Sequence, residues 1–270
     1  MTFIKQISQE PVKVFWWRYN FPKELNFGDE ITPLLVRTIF KRRVIWKDPS
    51  ECDVAGIGSI IQGVSDRSGG QHPVSIWGSG FIEGLPRRDF PNLTFYAVRG
   101  KLSLSQIKNA PAEIALGDPA LLLPLALKTK RTKKYKIGII PHYVDAASPK
   151  LDRFRNNPDV LFIDVLQPVK KVIAQINTCE LILSSSLHGL IVSDAYNIPN
   201  VWVPLSDQVY GGSYKFDDYY SVFDRTSQPH DIENITIVTA DGIIANYTPI
   251  TSRLGKVQAE LVHAFNQINV

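Results

Sequence analysis

The chain has 270 residues, 44% hydrophobic and 21% charged, with 30 basic against 26 acidic side chains and a net charge of +4. These values exclude dominant disorder, and 17 Gly with 18 Pro exclude a collagen-like or low-complexity chain. The basic excess is too mild for a nucleic-acid binder and suits a small anionic substrate.

Short apolar runs alternate with helical patterns along the whole chain. Val14–Trp17, Val44–Trp46, Val54–Ile57, Val74–Trp77 and Thr94–Val98 read as strands, being β-branched or aromatic and bounded by Gly, Pro or charge. Ile31–Phe40 has apolar residues at helical spacing, and Leu102–Ile107 reads as a shorter helix. In the second half, Lys136–Ile140, Val160–Asp164, Glu180–Leu183 and Asn200–Val203 are the predicted strands. Between and after them lie predicted helices at Val169–Asn177, Leu187–Tyr196 and Leu254–Phe265. Strands alternating with helices imply parallel sheets, hence an α/β fold of two Rossmann-like domains facing a central cleft.

The domain boundary is placed by Lys128–Lys136, where six of nine residues are basic and apolar periodicity stops. It predicts one domain at 1–130 and a second at 131–270, closed by the C-terminal helix. The same segment reads as a solvated linker or as a patch for peripheral contact with an anionic membrane. Cys52 and Cys179 stand alone in apolar contexts and read as buried thiols, which makes a reducing, cytoplasmic compartment the default. Lys5, Glu10 and Lys13 interrupt the first fifteen residues, so no leader is expected, and no apolar run reaches the ~18 residues of a membrane span.

Several corners carry polar or small residues where strands end. Asn26-Phe27-Gly28-Asp29 precedes a helix, and Asn26 and Asp29 read either as caps or as ligand contacts. Gly58-Ser59 and Gly78-Ser79 follow strands and let the backbone approach a ligand. No dinucleotide fingerprint or P-loop lysine accompanies them, which disfavours NAD and ATP. Arg99 ends a predicted strand and can grip a carboxylate or phosphate through two parallel donors. Ser185-Ser186-Leu187-His188-Gly189 opens a helix after a buried strand, with hydroxyls for an anion and a histidine in the first turn. Gly211-Gly212 precedes Lys215, which reads as a cation on a mobile loop. The adjacent Asp217-Asp218 pair is expected to orient that lysine or meet a sugar. No metal cluster is evident.

These segments resemble the polysaccharide pyruvyltransferase family. The resemblance is carried by NFGDE, GIGS, WGSGF, VRGKLS, LGDPALLL, SSSLHGLIVSDAYNIP and KFDDYY, which span residues 26–220. It implies a two-domain fold like the GT-B glycosyltransferases. It also implies transfer of pyruvyl from phosphoenolpyruvate to two hydroxyls of one sugar, with a cyclic ketal formed and phosphate released. Arg99, His188 and Lys215 match the family's important basic positions. On that reading Arg99 and Lys215 hold the donor's anionic groups, His188 is the general acid, and phosphoenolpyruvate is a co-substrate with no further cofactor. The acceptor is a saccharide, either free or lipid-linked at the inner face of a membrane. The alternative is a GT-B-type glycosyltransferase using a nucleotide sugar; a shared fold does not separate the two.

Overall fold

The computed structural model describes residues 10–18, 26–70, 72–130 and 132–270. Residues 1–9 of the leader expectation, Leu25 before the Asn26 turn and Arg131 of the basic segment lie outside the described residues.

Among the described residues the strands form two parallel sheets, as the alternating pattern requires. The first holds β1 (Val12–Phe15), β2 (Val44–Trp46), β3 (Val54–Ala55), β4 (Val74–Ser79), β5 (Leu93–Val98) and β6 (Ala115–Leu116), in the order β2-β1-β3-β4-β5-β6. The second holds β7 (Tyr135–Ile140), β8 (Val160–Phe162), β9 (Cys179–Ser184) and β10 (Asn200–Trp202), in the order β10-β9-β7-β8. The helices are α1 (Ile31–Thr38), α2 (Ile61–Arg67), α3 (Lys101–Ser105), α4 (Leu123–Ala126), α5 (Val169–Ile176), α6 (Leu187–Ala195), α7 (Tyr214–Ser221), α8 (Ile237–Asn246) and α9 (Thr251–Asn266). None of the described helices is long and apolar enough to cross a membrane.

Strands covered on both faces need apolar residues at successive positions, not alternating ones. Ile139-Ile140 in β7 and Leu181-Ile182-Leu183 in β9 meet that need and are fully buried. One face of each sheet contributes to a shared cluster that includes Val14 and Trp77 from the first sheet and Ile140, Ile182 and Leu190 from the second half. The opposite faces build separate clusters, around Ile76 and Phe95 in one sheet and Ile137 and Leu181 in the other. The last helix crosses back: its Leu261 carbonyl accepts from Trp77 Nε1 at 2.9 Å, and Phe265 stacks on Phe40 at 3.9 Å. Thus α9, which the 131–270 division assigns to the second half, packs against strands of the first sheet.

Several elements depart from the sequence expectation. The predicted loop around Lys215 is helix α7, and α2, α4, α8 and the short β6 lie where no element was expected. In α7 the buried positions include Lys215 and Asp218 as well as Phe216 and Tyr219, so burial there does not follow hydrophobicity. The basic segment is also less solvated than a linker: Lys133 Nζ donates to the Cys179 carbonyl, and Lys136 pairs with Glu180 at 2.7 Å and with Asp241.

Candidate active site

In each sheet the chain adds a strand to one side of the first strand and then crosses to its other side. β1 pairs with β2 and then β3, and β7 pairs with β8 and then β9. At such a reversal, neighbouring loops leave in opposite directions and open a crevice at the carboxyl ends of the strands. Both crevices contribute to one cavity of about 440 Å³. Phe15 ends β1, Trp17, Asn26 and Asp29 come from the segment after it, and Gly58, Ser59 and Ile60 from that after β3. His142 and Tyr143 follow β7, while Ser186, Leu187 and His188 follow β9. Gly63, Ile82, Arg99, Tyr210 and Lys215 complete the wall. A larger hollow of about 1000 Å³ lies beside β10 and α8, away from both reversals.

His188 occupies the first turn of α6. Its Nε2 is buried without a hydrogen bond and lies 3.7 Å from Asp118 Oδ2, which is likewise buried and unpartnered. The other carboxylate oxygen of Asp118 accepts from Ala120 N at 2.9 Å and caps the turn that follows. The carboxylate is therefore fixed in place, with one oxygen aimed at the imidazole. Gly28 lies under the ring, and a Cβ there would sit 2.1 Å from Nδ1. Gly28→Ala must push the imidazole away, and overpacking of this kind costs about 1–3 kcal/mol. We expect this variant to fold with lowered thermal stability and to lose turnover more than donor affinity. Wild-type turnover would show that the ring need not hold this position.

Lys215 is buried, in the first turn of α7, with Nζ 3.5 Å from the Tyr210 carbonyl oxygen. Burial lowers its pKa to about 8, helped by the Arg99 charge and opposed by Asp145. His142, across the cavity, is held down to about 4 by burial and then by Lys215, so it is neutral at physiological pH. Asp29 is pushed up to about 7 by burial, against the pull of His188. It sits half-buried at the cavity wall and can exchange a proton near neutrality. Helix α6 starts after Ser186 with no side-chain cap; the Gly189 N–H turns back to the Ser186 carbonyl at 3.1 Å, and the Leu187 and His188 N–H groups are available to an anion.

Arg99 differs from its expected role as a free cation. It is fully buried, and each of its three nitrogens has a protein partner. Nε donates to Asp218 Oδ2 at 2.9 Å, Nη1 to Ser59 Oγ at 2.6 Å and Nη2 to the Phe81 carbonyl at 2.6 Å. Asp218 in turn accepts from Ser103 N and Oγ at 2.8 and 2.6 Å. Asp218 therefore balances Arg99 and does not orient Lys215, and Asp217 is taken by Ser227.

Of the sequence-predicted residues, the cavity unites Asn26, Asp29, Gly58, Ser59, Arg99, Ser186, His188 and Lys215. Asn26 closes a local turn by accepting from Gly28 N at 2.9 Å, and α1 begins without a side-chain cap. Gly78, Ser79, Ser185 and Gly189 do not line the cavity. At Gly78, φ is +83°, and a Cβ would strike Pro119; Ser79 Oγ donates to the Gly56 carbonyl. Ser185 Oγ donates to Asp145 at 2.7 Å and accepts from His142 N at 2.8 Å, which fixes the loop after β7. Gly189 lets α6 approach β9, where a Cβ would meet Ser184 Oγ at 2.3 Å. Sequence reasoning gave no role to Asp118, His142 or the rim aromatics. The signal for His142 was its place just beyond a predicted parallel strand.

This geometry fits the outcome of comparison with known proteins. The family model for polysaccharide pyruvyl transferase matches residues 14–207. The chain belongs to the polysaccharide pyruvyl transferase family. The matched span holds β1 through β10 apart from the first two residues of β1, and with them His188, Asp118, Arg99 and both strand-order reversals. The chain is also 30% identical over 225 residues to the succinoglycan biosynthesis protein ExoV of Rhizobium meliloti (strain 1021), covering 82% of this chain and 68% of that protein. An uncharacterized protein of Acanthamoeba polyphaga mimivirus is 30% identical over 213 residues, covering 75% and 72%. The protein is thus an enzyme of polysaccharide pyruvyl transfer.

Proposed function

We propose that the cavity binds phosphoenolpyruvate and transfers its pyruvyl group to two hydroxyls of one sugar in a polysaccharide or its precursor. The observation that carries this reading is the convergence of Lys215, the uncapped start of α6 and His188, backed by Asp118, on one cavity. The donor brings a phosphate and a carboxylate. Lys215 and the α6 amides supply the charge complement, and Arg99, already balanced by Asp218, shapes the wall and holds Ser59. The two lobes then work as in GT-B glycosyltransferases, each bringing one side of the reacting pair.

In the reaction, His188 delivers a proton to the methylene carbon, which becomes methyl, and positive charge develops at C2. A first sugar hydroxyl attacks C2, and Asp29 takes its proton. The C2–O bond to phosphate breaks, a second hydroxyl of the same sugar closes the ketal, and its proton leaves with the phosphate. Asp118 positions the imidazole of His188 through the approach at Nε2. The enzyme works in the cytoplasm, and a lipid-linked acceptor would bring it to the inner face of the membrane.

The direct test is phosphate release from phosphoenolpyruvate against a panel of β-galactosides, glucosides and mannosides. Release of nucleotide from a sugar nucleotide, with no phosphate from phosphoenolpyruvate, would instead support a glycosyltransferase. A second expectation concerns pH. Lys215 in the free enzyme loses its proton as pH rises through about 8. Donor binding weakens with it, so kcat/KM for phosphoenolpyruvate is expected to fall above that pH. Lys215→Arg, which stays charged, should remove this alkaline limb even if its maximum is lower. An unchanged limb in that variant would assign the titration to another group.

A further inference from the structure

Among the described residues the exposed aromatic side chains are Trp17 (44% exposed), Tyr143 (43%) and Tyr210 (64%). All three line the one cavity that holds His188 and Lys215. The remaining described tryptophans and phenylalanines are buried or half-buried. Exposed rings gathered at a single polar cavity mark a binding face, because each leaves apolar surface in water that a ligand can cover.

The rings come from both sides. Trp17 follows β1, whereas Tyr143 and Tyr210 belong to the second half. Each is held before any ligand arrives. The Phe15 ring meets Trp17 edge-on at 6.5 Å, and the Arg67 guanidinium lies 5.8 Å from the Trp17 ring. Tyr143 lies against His142, with ring centres 4.3 Å apart. Tyr210 donates its hydroxyl to Glu83 at 2.9 Å, and Gly211 beside it packs so closely that a Cβ would sit 2.1 Å from the Ile82 carbonyl oxygen. Rings fixed in this way lose little freedom when a ligand binds. The hollow continues beyond Trp17, where a second depression of about 270 Å³ shares Phe15 and Trp17 and adds Trp46 and Arg67.

We propose that Trp17, Tyr143 and Tyr210 are stacking platforms for an oligosaccharide acceptor of at least two sugar rings, extending past Trp17 into the second depression. This rests on the pyruvyl-transfer reading of the same cavity. A pyranose carries C–H groups on its faces and hydroxyls at its edge. The faces suit the electron-rich faces of aromatic rings, and the hydroxyls need polar partners between them. Asn26, Asp29, Ser59 and Ser186 share the cavity wall with the aromatic residues and offer those partners. A lipid chain would offer the Asp29 carboxyl and the Ser186 hydroxyl no partner, which disfavours it as the occupant.

The test is calorimetric titration with glucose, galactose and mannose oligosaccharides, α- and β-linked, from one to four rings. Phosphoenolpyruvate and the common nucleoside diphosphates are titrated in parallel. Affinity is expected to rise with chain length in at least one series. Trp17→Ala and Tyr210→Ala are each expected to weaken that binding by about tenfold or more, in the range for loss of an aromatic anchor. Phosphoenolpyruvate affinity and melting temperature should stay near wild type, and Tyr210→Phe, which keeps the ring, should bind like wild type. No binding across the panel, no length dependence, unaffected Ala variants, or tighter binding of nucleotides than of any glycan would each overturn the proposal. Phosphate release is read separately. Pyruvyl transfer that ignores acceptor length removes the platforms alone, and length-dependent glycan binding without phosphate release removes the pyruvyl-transfer reading alone.

Discussion

Replacing His188 with alanine is expected to lower turnover by about 10²- to 10⁴-fold, the usual worth of a positioned general acid. Phosphoenolpyruvate affinity should fall far less, because Lys215 and the start of α6 remain in place. Asp118 Oδ2 lies 3.7 Å from Nε2 of His188, and its other oxygen is fixed by Ala120 N. His188→Gln fills the space and hydrogen-bonds, but delivers no proton at a useful rate, so it should not rescue turnover. Asp118→Asn keeps the Ala120 cap and removes only the charge, so it should lower kcat while leaving the KM for phosphoenolpyruvate nearly unchanged. Single-turnover phosphate release, paired with donor affinity, distinguishes these outcomes. Near-wild-type release by His188→Gln would reduce His188 to a positioning group and move the search for the acid to Asp29 or Lys215.

Asp218→Ala is expected to cost about 3–5 kcal/mol of folding stability, because it strands the Arg99 charge in the interior. Both partners of this pair are fully buried. The loss should be visible as a lower urea midpoint with little change in slope. A typical domain has only about 5–15 kcal/mol in total, so the variant is expected to be marginal at 37 °C. A double variant, Arg99→Met with Asp218→Leu, removes both charges and should recover much of the stability, since an apolar pair of similar volume often matches a buried ion pair. A cost below about 1 kcal/mol for Asp218→Ala would contradict the full burial of the pair and return Arg99 to the role of a free anion-binding cation. Because Asp218 also anchors Ser103, the single variant is expected to loosen α3 against α7 as well.

The parallel α/β architecture was legible because strands alternate with helical patterns along the chain, and Ile139-Ile140 and Leu181-Ile182-Leu183 are apolar without interruption, as strands covered on both faces must be. The functional corners were legible for a related reason. Parallel strands bring their carboxyl ends together, so Asp29, Ser59, Arg99 and His188, each just beyond a strand or opening a helix after one, were natural candidates. Helix α7 was not legible. Its Lys215 and Asp218 are buried, and a hydrophobicity pattern cannot count a charged residue as interior when the groups that receive it lie more than a hundred positions away, as Ser103 and Arg99 do for Asp218. The rim aromatics were missed in the same way. Trp17 read as the end of a strand and Tyr143 had no assigned element, and their exposure at one cavity shows only in the folded chain.

The sequence by itself determined the predicted strands and five of the helices, the parallel sheets and the family motifs, because these depend on local periodicity and on residue types at short spacing. Only the tertiary structure decided which of the cations is spent. Arg99 and Lys215 look alike along the chain, yet Arg99 meets Asp218 across 119 positions and Lys215 opens toward the cavity. It also placed Asp118 behind His188 and brought two strand-order reversals, one in each half, onto a single cavity. These are matters of long-range charge pairing and shared burial. The residues concerned carry no mark of them until the chain has closed around them.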